Sequence, residues 1–373
     1  MIVVYKERIA QILSVVVVVS GSALAISSFI PVLSKVSNYL LVIFVISVHL
    51  KPWIEDGNIW FRRSSILGLV IYVLTILFSS IARMIIIPVV TTLVILWGGM
   101  LIGTNAPKDK TVKPGIRMPE PAKRQGTFVT NFAFIGSQVL TLFNPFQLAQ
   151  MAGQIFGLVV VLIRYKGKLP TVDSYDQQVQ YYLPIQGEWF VANGGITKET
   201  SHSWDIFNQR YAYDLVIMDD KLSTHNGKGK SCSDYYCYQK SIIAPADGIV
   251  VKVTDGVRDA KHPGTMALDF MAKDFRGNHL IIKHSDQEYS FLAHFIPGSI
   301  TVKIGEMVEQ GQLLGKCGNS GHSTEPHLHF HIQDRASFFS ATGLPVKFSE
   351  LKIDGQYQRS SYLSKGQVVS AQH

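Results

Sequence analysis

The chain has 373 residues and a net charge of +8; it is 47% hydrophobic and only 17% charged. That balance is too apolar for an ordinary soluble protein of this length, and residues 1–104 carry most of the excess, so a membrane region followed by a water-soluble domain is expected. The positive charge forms no basic stripe with interleaved aromatics, which sets nucleic acid aside; scattered lysines beside apolar spans suit an anionic membrane surface or wall polymer instead.

In chain order, residues 9–33 carry no charge and can cross a hydrocarbon core of about 30 Å as a helix. Residues 36–50, 64–82 and 84–103 read as three more spans, the last two a tight hairpin interrupted only by Arg83. Residues 105–126 are prolyl, basic and aperiodic, hence a loop. Within 127–165, the glutamine-dotted first part, broken by "FNPF", reads as interfacial, and residues 149–163 read as a fifth span. Residues 166–185 follow as a linker.

Charge sets the expected topology. With the N-terminus inside and five spans, the inner segments hold Lys6, Arg8, Lys51, Arg62, Arg63 and the cluster between Lys108 and Arg124, whereas the short outer loops hold only Lys35 and Arg83. This satisfies the positive-inside rule and places the C-terminal domain outside the cell, in a multi-pass membrane protein. Arg164, Lys166 and Lys168, just past the fifth span, run against the trend.

From residue 183 the texture changes to short alternating runs separated by Gly, Asn and Asp. "GEWFVANGG", "YAYDLVIM", "GIVVKVTDG", "NHLIIKH", "YSFLAHF" and "HLHFHI" read as strands, which makes residues 186–350 an all-β, mainly antiparallel domain. Residues 351–373 read as a polar tail. Three cysteines make no disulfide framework. Cys232 and Cys237, in "CSDYYC", can close a small loop in an oxidising compartment, and Cys317 reads as a buried filler.

The chemistry concentrates in "PHLHFHI", residues 326–332. On a strand, alternate side chains share a face, so His327, His329 and His331 point the same way, with neighbouring pairs about 6.6 Å apart. Two such imidazoles can converge on one small site. His331, about 13 Å from His327 along the strand, is spare for the metal and reads as a histidine behind the ligands or at the surface rather than one that faces substrate. His284, in "NHLIIKH", reads as a structural histidine.

These stretches, with "APADGIVVKV", "PGSITVKIGEMVEQGQLLGKCGNSGHSTEPHLHFHI" and "GLPVKF", resemble the lysostaphin-type (LytM-like) zinc metallopeptidases of bacterial cell walls. The resemblance runs from about Gln186 to Phe348. It implies a β-rich peptidase fold, one catalytic Zn²⁺ and hydrolysis of peptide bonds in peptidoglycan cross-links or stem peptides. By the same resemblance, Asp214 and His329 are metal ligands, while His294 and His327 act on the water and the developing oxyanion. One position departs from the pattern: the family's remaining histidine ligand, four residues before the aspartate, is Arg210 here. A permanently cationic guanidinium cannot coordinate zinc. His202 is the first candidate to replace it and His225 the second. The rival reading is a catalytically dead domain that binds wall peptides or regulates another hydrolase. A transporter with a β appendage is weaker, because the spans carry almost no ionisable side chains.

Overall fold

A computed structural model describes residues 136–137, 140–141 and 143–372. The four expected spans and the basic loop lie outside them. Apolar alternation places strands where the sequence predicts them: β1 (Glu188–Asn193), β2 (Tyr213–Val216), β4 (Gly248–Thr254), β5 (Asn278–Lys283), β6 (Tyr289–Phe295) and β9 (Leu328–Gln333), with short β3 (Ser241–Ile243), β7 (Met307–Val308), β8 (Leu313–Lys316) and β10 (Gly343–Leu344) between them. Three further strands close the chain: β11 (Phe348–Ile353), β12 (Gln356–Ser361) and β13 (Val368–Ala371). The main sheet runs β12-β11-β13-β1-β2-β9-β6-β5-β4-β7, with β10 beside β9, and β3 and β8 form a separate ribbon. All pairings between these strands are antiparallel.

The two faces of the central strands differ in chemistry. Leu328, Phe330 and Ile332 of β9 point into the principal core with Leu215, Leu280, Leu292 and Val250, and Ile242 and Leu314 of the ribbon join them. Full burial of each such side chain contributes about 1.5–3 kcal/mol. The opposite face of β9 carries His329, His331 and Gln333, all buried as well. Burying that many polar groups is tolerable only where each finds a partner.

Two expected boundaries are corrected. The linker at 166–185 is part of the domain: Tyr181, Leu183 and Ile185 are fully buried in the core. Glu288 accepts there from the Tyr175 and Tyr181 hydroxyls and from the Gln178 and Val179 amides. The polar tail at 351–373 is instead strand, with β13 pairing to β1 and so extending the sheet. Asp354 and Gly355 both have positive φ, 51° and 77°, the requirement of a two-residue type I′ hairpin. The run reads as polar because β12 is an edge strand with exposed side chains on both faces.

Residues 149–163, the expected fifth span, lie in α1 (Pro145–Tyr165), which is long and apolar enough to cross a membrane by length and composition. Asn144 caps it, accepting from the Phe146 and Gln147 amides, and Lys166 ends it in the left-handed region, φ 51°. One face is bonded to the β domain. Gln147 donates to the Asp269 and Ala272 carbonyls, Gln150 to the Lys273 carbonyl, and Arg164 pairs with Asp334 at 2.6 Å. The other face presents Phe146, Phe156, Val159 and Ile163, all exposed. This is the inverse of a water-facing surface helix, which turns its apolar stripe inward.

The helix seats on the domain through Gly157, where an added Cβ would overlap the Phe339 carbonyl. Gly157→Ala is therefore expected to cost about 1–3 kcal/mol through overpacking. The measurement is the thermal unfolding midpoint of the full chain, and an unchanged midpoint would show that the helix is not seated there.

Candidate metal centre

Sheet register builds the centre. Asp214 of β2 lies directly opposite His329 of β9, and His329 lies opposite Ala293 of β6. Residues 115 apart in sequence thereby meet: His329 Nδ1 stands 3.0 Å from Asp214 Oδ1. His327, just before β9, brings its Nε2 to 3.6 Å from the same oxygen. Asn193 Nδ2 donates to Asp214 Oδ2 at 3.3 Å.

His294 reaches the centre by breaking the strand's alternation. Ala293 already faces His329, so a regular strand would send His294 to the opposite side. The β5–β6 register slips here, with Asn278 opposite Phe295 and His279 opposite Ala293. His294 is the extra residue of a bulge, at φ 69°, a left-handed conformation costly for a non-glycine residue and concentrated at functional sites. Its ring lies 4.6 Å from that of His327.

Backbone carbonyls set the tautomers of both histidines. His294 Nδ1 donates to the Ser320 carbonyl at 2.7 Å, and His327 Nδ1 donates to the Glu325 carbonyl at 2.8 Å. Each neutral ring therefore presents a bare Nε2 lone pair. Burial, with His327 and His329 nearby, pushes His294 well below the ordinary imidazole value. Burial lowers His329 too, although Asp214 opposes the shift. Burial alone would raise the Asp214 carboxyl, but His202, His327 and His329 outweigh it and hold the group well below the usual carboxylate range.

Of the two candidate replacements, His202 lies on the loop before β2 and His225 after that strand. His202 Nδ1 is 3.5 Å from Asp214 Oδ2, on the wall of the same cavity of about 430 Å³. The Ser201 hydroxyl donates to the Arg210 carbonyl at 2.8 Å, folding the loop so that His202 comes beside the carboxylate. The Arg210 guanidinium packs over the Trp204 ring at 4.8 Å and donates through Nε to the Trp204 carbonyl at 3.0 Å. His225 is elsewhere, against Tyr235. His284 bonds the Asp247 carbonyl and the Ser290 hydroxyl, a structural arrangement. Cys232 and Cys237 are free thiols, and Cys317 is buried.

His331 is fully buried and contacts His329, with 3.1 Å between His329 Nε2 and His331 Nδ1, so of the two places expected for it, beside the site or at the surface, it takes the first. Two residues near the site, Gln333 and His322, are not among the expected ones. Gln333, two residues further along the same face, bonds His331 at 3.0 Å; its H-x-H-x-Q spacing was visible but carried no known meaning. His322 lines the cavity and bonds Gln147 of α1 at 2.9 Å.

The donor set fits a zinc ion. Ring nitrogens of His294, His327 and His329 lie within 4.8 Å of one another, the Asp214 carboxylate adjoins them, and Arg210 is turned away. Neutral imidazole with a carboxylate is the ligand chemistry zinc prefers.

Residues 230–340 match the family described as Peptidase family M23, a stretch that includes His294, His327 and His329. The peptidoglycan DD-endopeptidase ShyA of Vibrio cholerae is 24% identical over 162 residues, 42% of this chain and 32% of that protein. The glycyl-glycine endopeptidase ALE-1 of Staphylococcus capitis is 29% identical over 100 residues, 23% of this chain and 26% of that protein. The chain thus spans a third or less of the length of these curated relatives. Lysostaphin of Staphylococcus simulans superposes with a TM-score of 0.23 at 20% identity, covering 36% of this chain and 41% of that one. Residues 230–340 of the β domain are thus the part of this chain that matches Peptidase family M23, and the curated relatives it is similar to are named as endopeptidases.

Proposed function

We propose that the chain is a membrane-anchored zinc endopeptidase that hydrolyses peptide bonds in peptidoglycan cross-links or stem peptides. The observation that carries the reading is the convergence of Asp214, His329, His327, His294 and His202 on one cavity. The relatives' names, peptidoglycan DD-endopeptidase and glycyl-glycine endopeptidase, support a cell-wall peptide as substrate.

Asp214, His329 and His202 would hold the zinc, which supplies Lewis-acid polarisation of water and of the scissile carbonyl. His202 then stands in for the histidine that Arg210 displaces. His294 and His327 remain outside the ligand set, each with Nε2 free. One takes the proton of the attacking water and passes it to the leaving amine. The other, after taking a proton from solvent at Nε2, donates a hydrogen bond to the oxygen on which negative charge develops and returns that proton to solvent afterwards. Their rings are close enough to address neighbouring atoms of one peptide bond. The direct test is zinc content together with release of peptides from purified peptidoglycan by the full chain. A folded chain that holds no zinc at micromolar metal favours the rival, a wall-binding module.

Anchoring rests on the uncharged runs within residues 1–104 and on the outward apolar face of α1. The charge asymmetry of the loops supports a domain outside the cell. With the three native cysteines replaced, a cysteine at the exposed residue 173 is therefore expected to react with an impermeant thiol reagent in intact cells, and one at residue 115 to stay protected. Protection at both positions would put the domain inside and remove wall hydrolysis as its function.

A further inference from the structure

We propose that His331 and Gln333 are positioning residues that fix the tautomer of His329, holding its proton on Nε2 so that Nδ1 is presented bare toward Asp214. The argument is one of donors and acceptors, read from the far end of β9. Gln333 Nε2 donates to the Arg335 carbonyl at 2.7 Å. A carbonyl only accepts, so this bond orients the amide and turns Gln333 Oε1 toward His331 Nε2, at 3.0 Å. That oxygen also only accepts, so His331 Nε2 must carry a proton.

A neutral imidazole has one N–H, so His331 Nδ1 is an acceptor. It lies 3.1 Å from His329 Nε2, which must then be the donor. The remaining nitrogen, His329 Nδ1, is left as a lone pair 3.0 Å from Asp214 Oδ1. Two acceptors at that separation repel unless a cation lies between or beside them. The relay therefore prepares a ligand pair and prevents His329 from satisfying the carboxylate with its own proton.

The surroundings hold the relay in place. His331 is fully buried and stacks on Phe291, centroids 4.8 Å apart and planes inclined by 23°. Phe291 stacks on its other side against His279 at 5.2 Å. Ring rotation of His331 is thereby restricted, and a ligand whose distal N–H has a fixed acceptor is oriented as metal-binding histidines generally are.

The inference rests on the zinc reading for its consequence but not for its geometry, so the experiment measures the two separately. Zinc affinity of the full chain is measured by competition with a chromophoric chelator, beside nitrogen NMR of labelled histidine rings in the metal-free chain. His331→Phe keeps a flat ring against Phe291 but offers no acceptor; zinc affinity is expected to fall about 10–100-fold. His331→Gln restores an acceptor oxygen and is expected to recover most of that loss. In the metal-free chain, where no cation offsets the repulsion at Asp214, the His329 ring of the wild type is expected to carry its proton on Nε2 in a larger share than that of His331→Phe. Equal losses in both variants would reduce His331 to packing, and an Nε2–H share in the wild type no larger than in His331→Phe would overturn the relay outright. The larger share in a chain that binds no zinc would keep the relay and remove the peptidase reading.

Discussion

Replacing His329 with alanine is expected to abolish zinc binding and hydrolysis together. His329 makes the shortest of the three imidazole approaches to the Asp214 carboxylate, 3.0 Å, while its other nitrogen is committed to His331. Its loss would leave a carboxylate and the partly exposed His202 as the only ligands, too few for a stable tetrahedral site. Metal analysis is expected to fall from about one zinc per chain to near none, with peptide release at background. Retention of stoichiometric zinc by this variant would mean that the ion sits elsewhere.

His294→Ala and His327→Ala are expected to separate chemistry from metal. Each should keep the zinc and lower turnover by about two to four orders of magnitude, the usual reach of a general base or an oxyanion donor. His202→Ala, in contrast, should behave like His329→Ala. Arg210→Ala should keep the zinc, because its guanidinium packs on Trp204 and Phe207 rather than on the carboxylate. The measurements are zinc content and kcat on one defined wall peptide. Loss of metal from His294→Ala or His327→Ala would relocate the ion into the triangle of the three imidazoles. Retained zinc and activity in His202→Ala would leave the third ligand to another residue.

Much of the site was legible because its chemistry sits in local sequence. Strand alternation put His327 and His329 on one face, and "YAYDL" and "YSFLAHF" carried Asp214 and His294 in contexts resembling a known peptidase family. Six strands, β1, β2, β4, β5, β6 and β9, followed from period-two patterning. The closing strands were less legible. Their polar side chains are those of an edge, and the Asp354–Gly355 turn signal went unused. The linker misled because Tyr181, Leu183 and Ile185, although at strand spacing, form a run of only three, and Tyr181 is held by a long-range partner, Glu288.

By itself, the sequence determined the residue types and their faces: a β domain, a one-sided row of histidines, and an arginine where a ligand was expected. Those properties depend on alternation and side-chain chemistry, which act over a few residues. Only the tertiary structure decided which groups meet. The β2–β9 register sets Asp214 against His329, the bulge in β6 turns His294 into the site, and the 201–210 loop brings His202 where Arg210 is not. The direction of the proton on His329 is settled last, by a glutamine amide four residues away. The register and the bulge depend on strand order and on pairing across the whole domain, which no local window of the chain encodes.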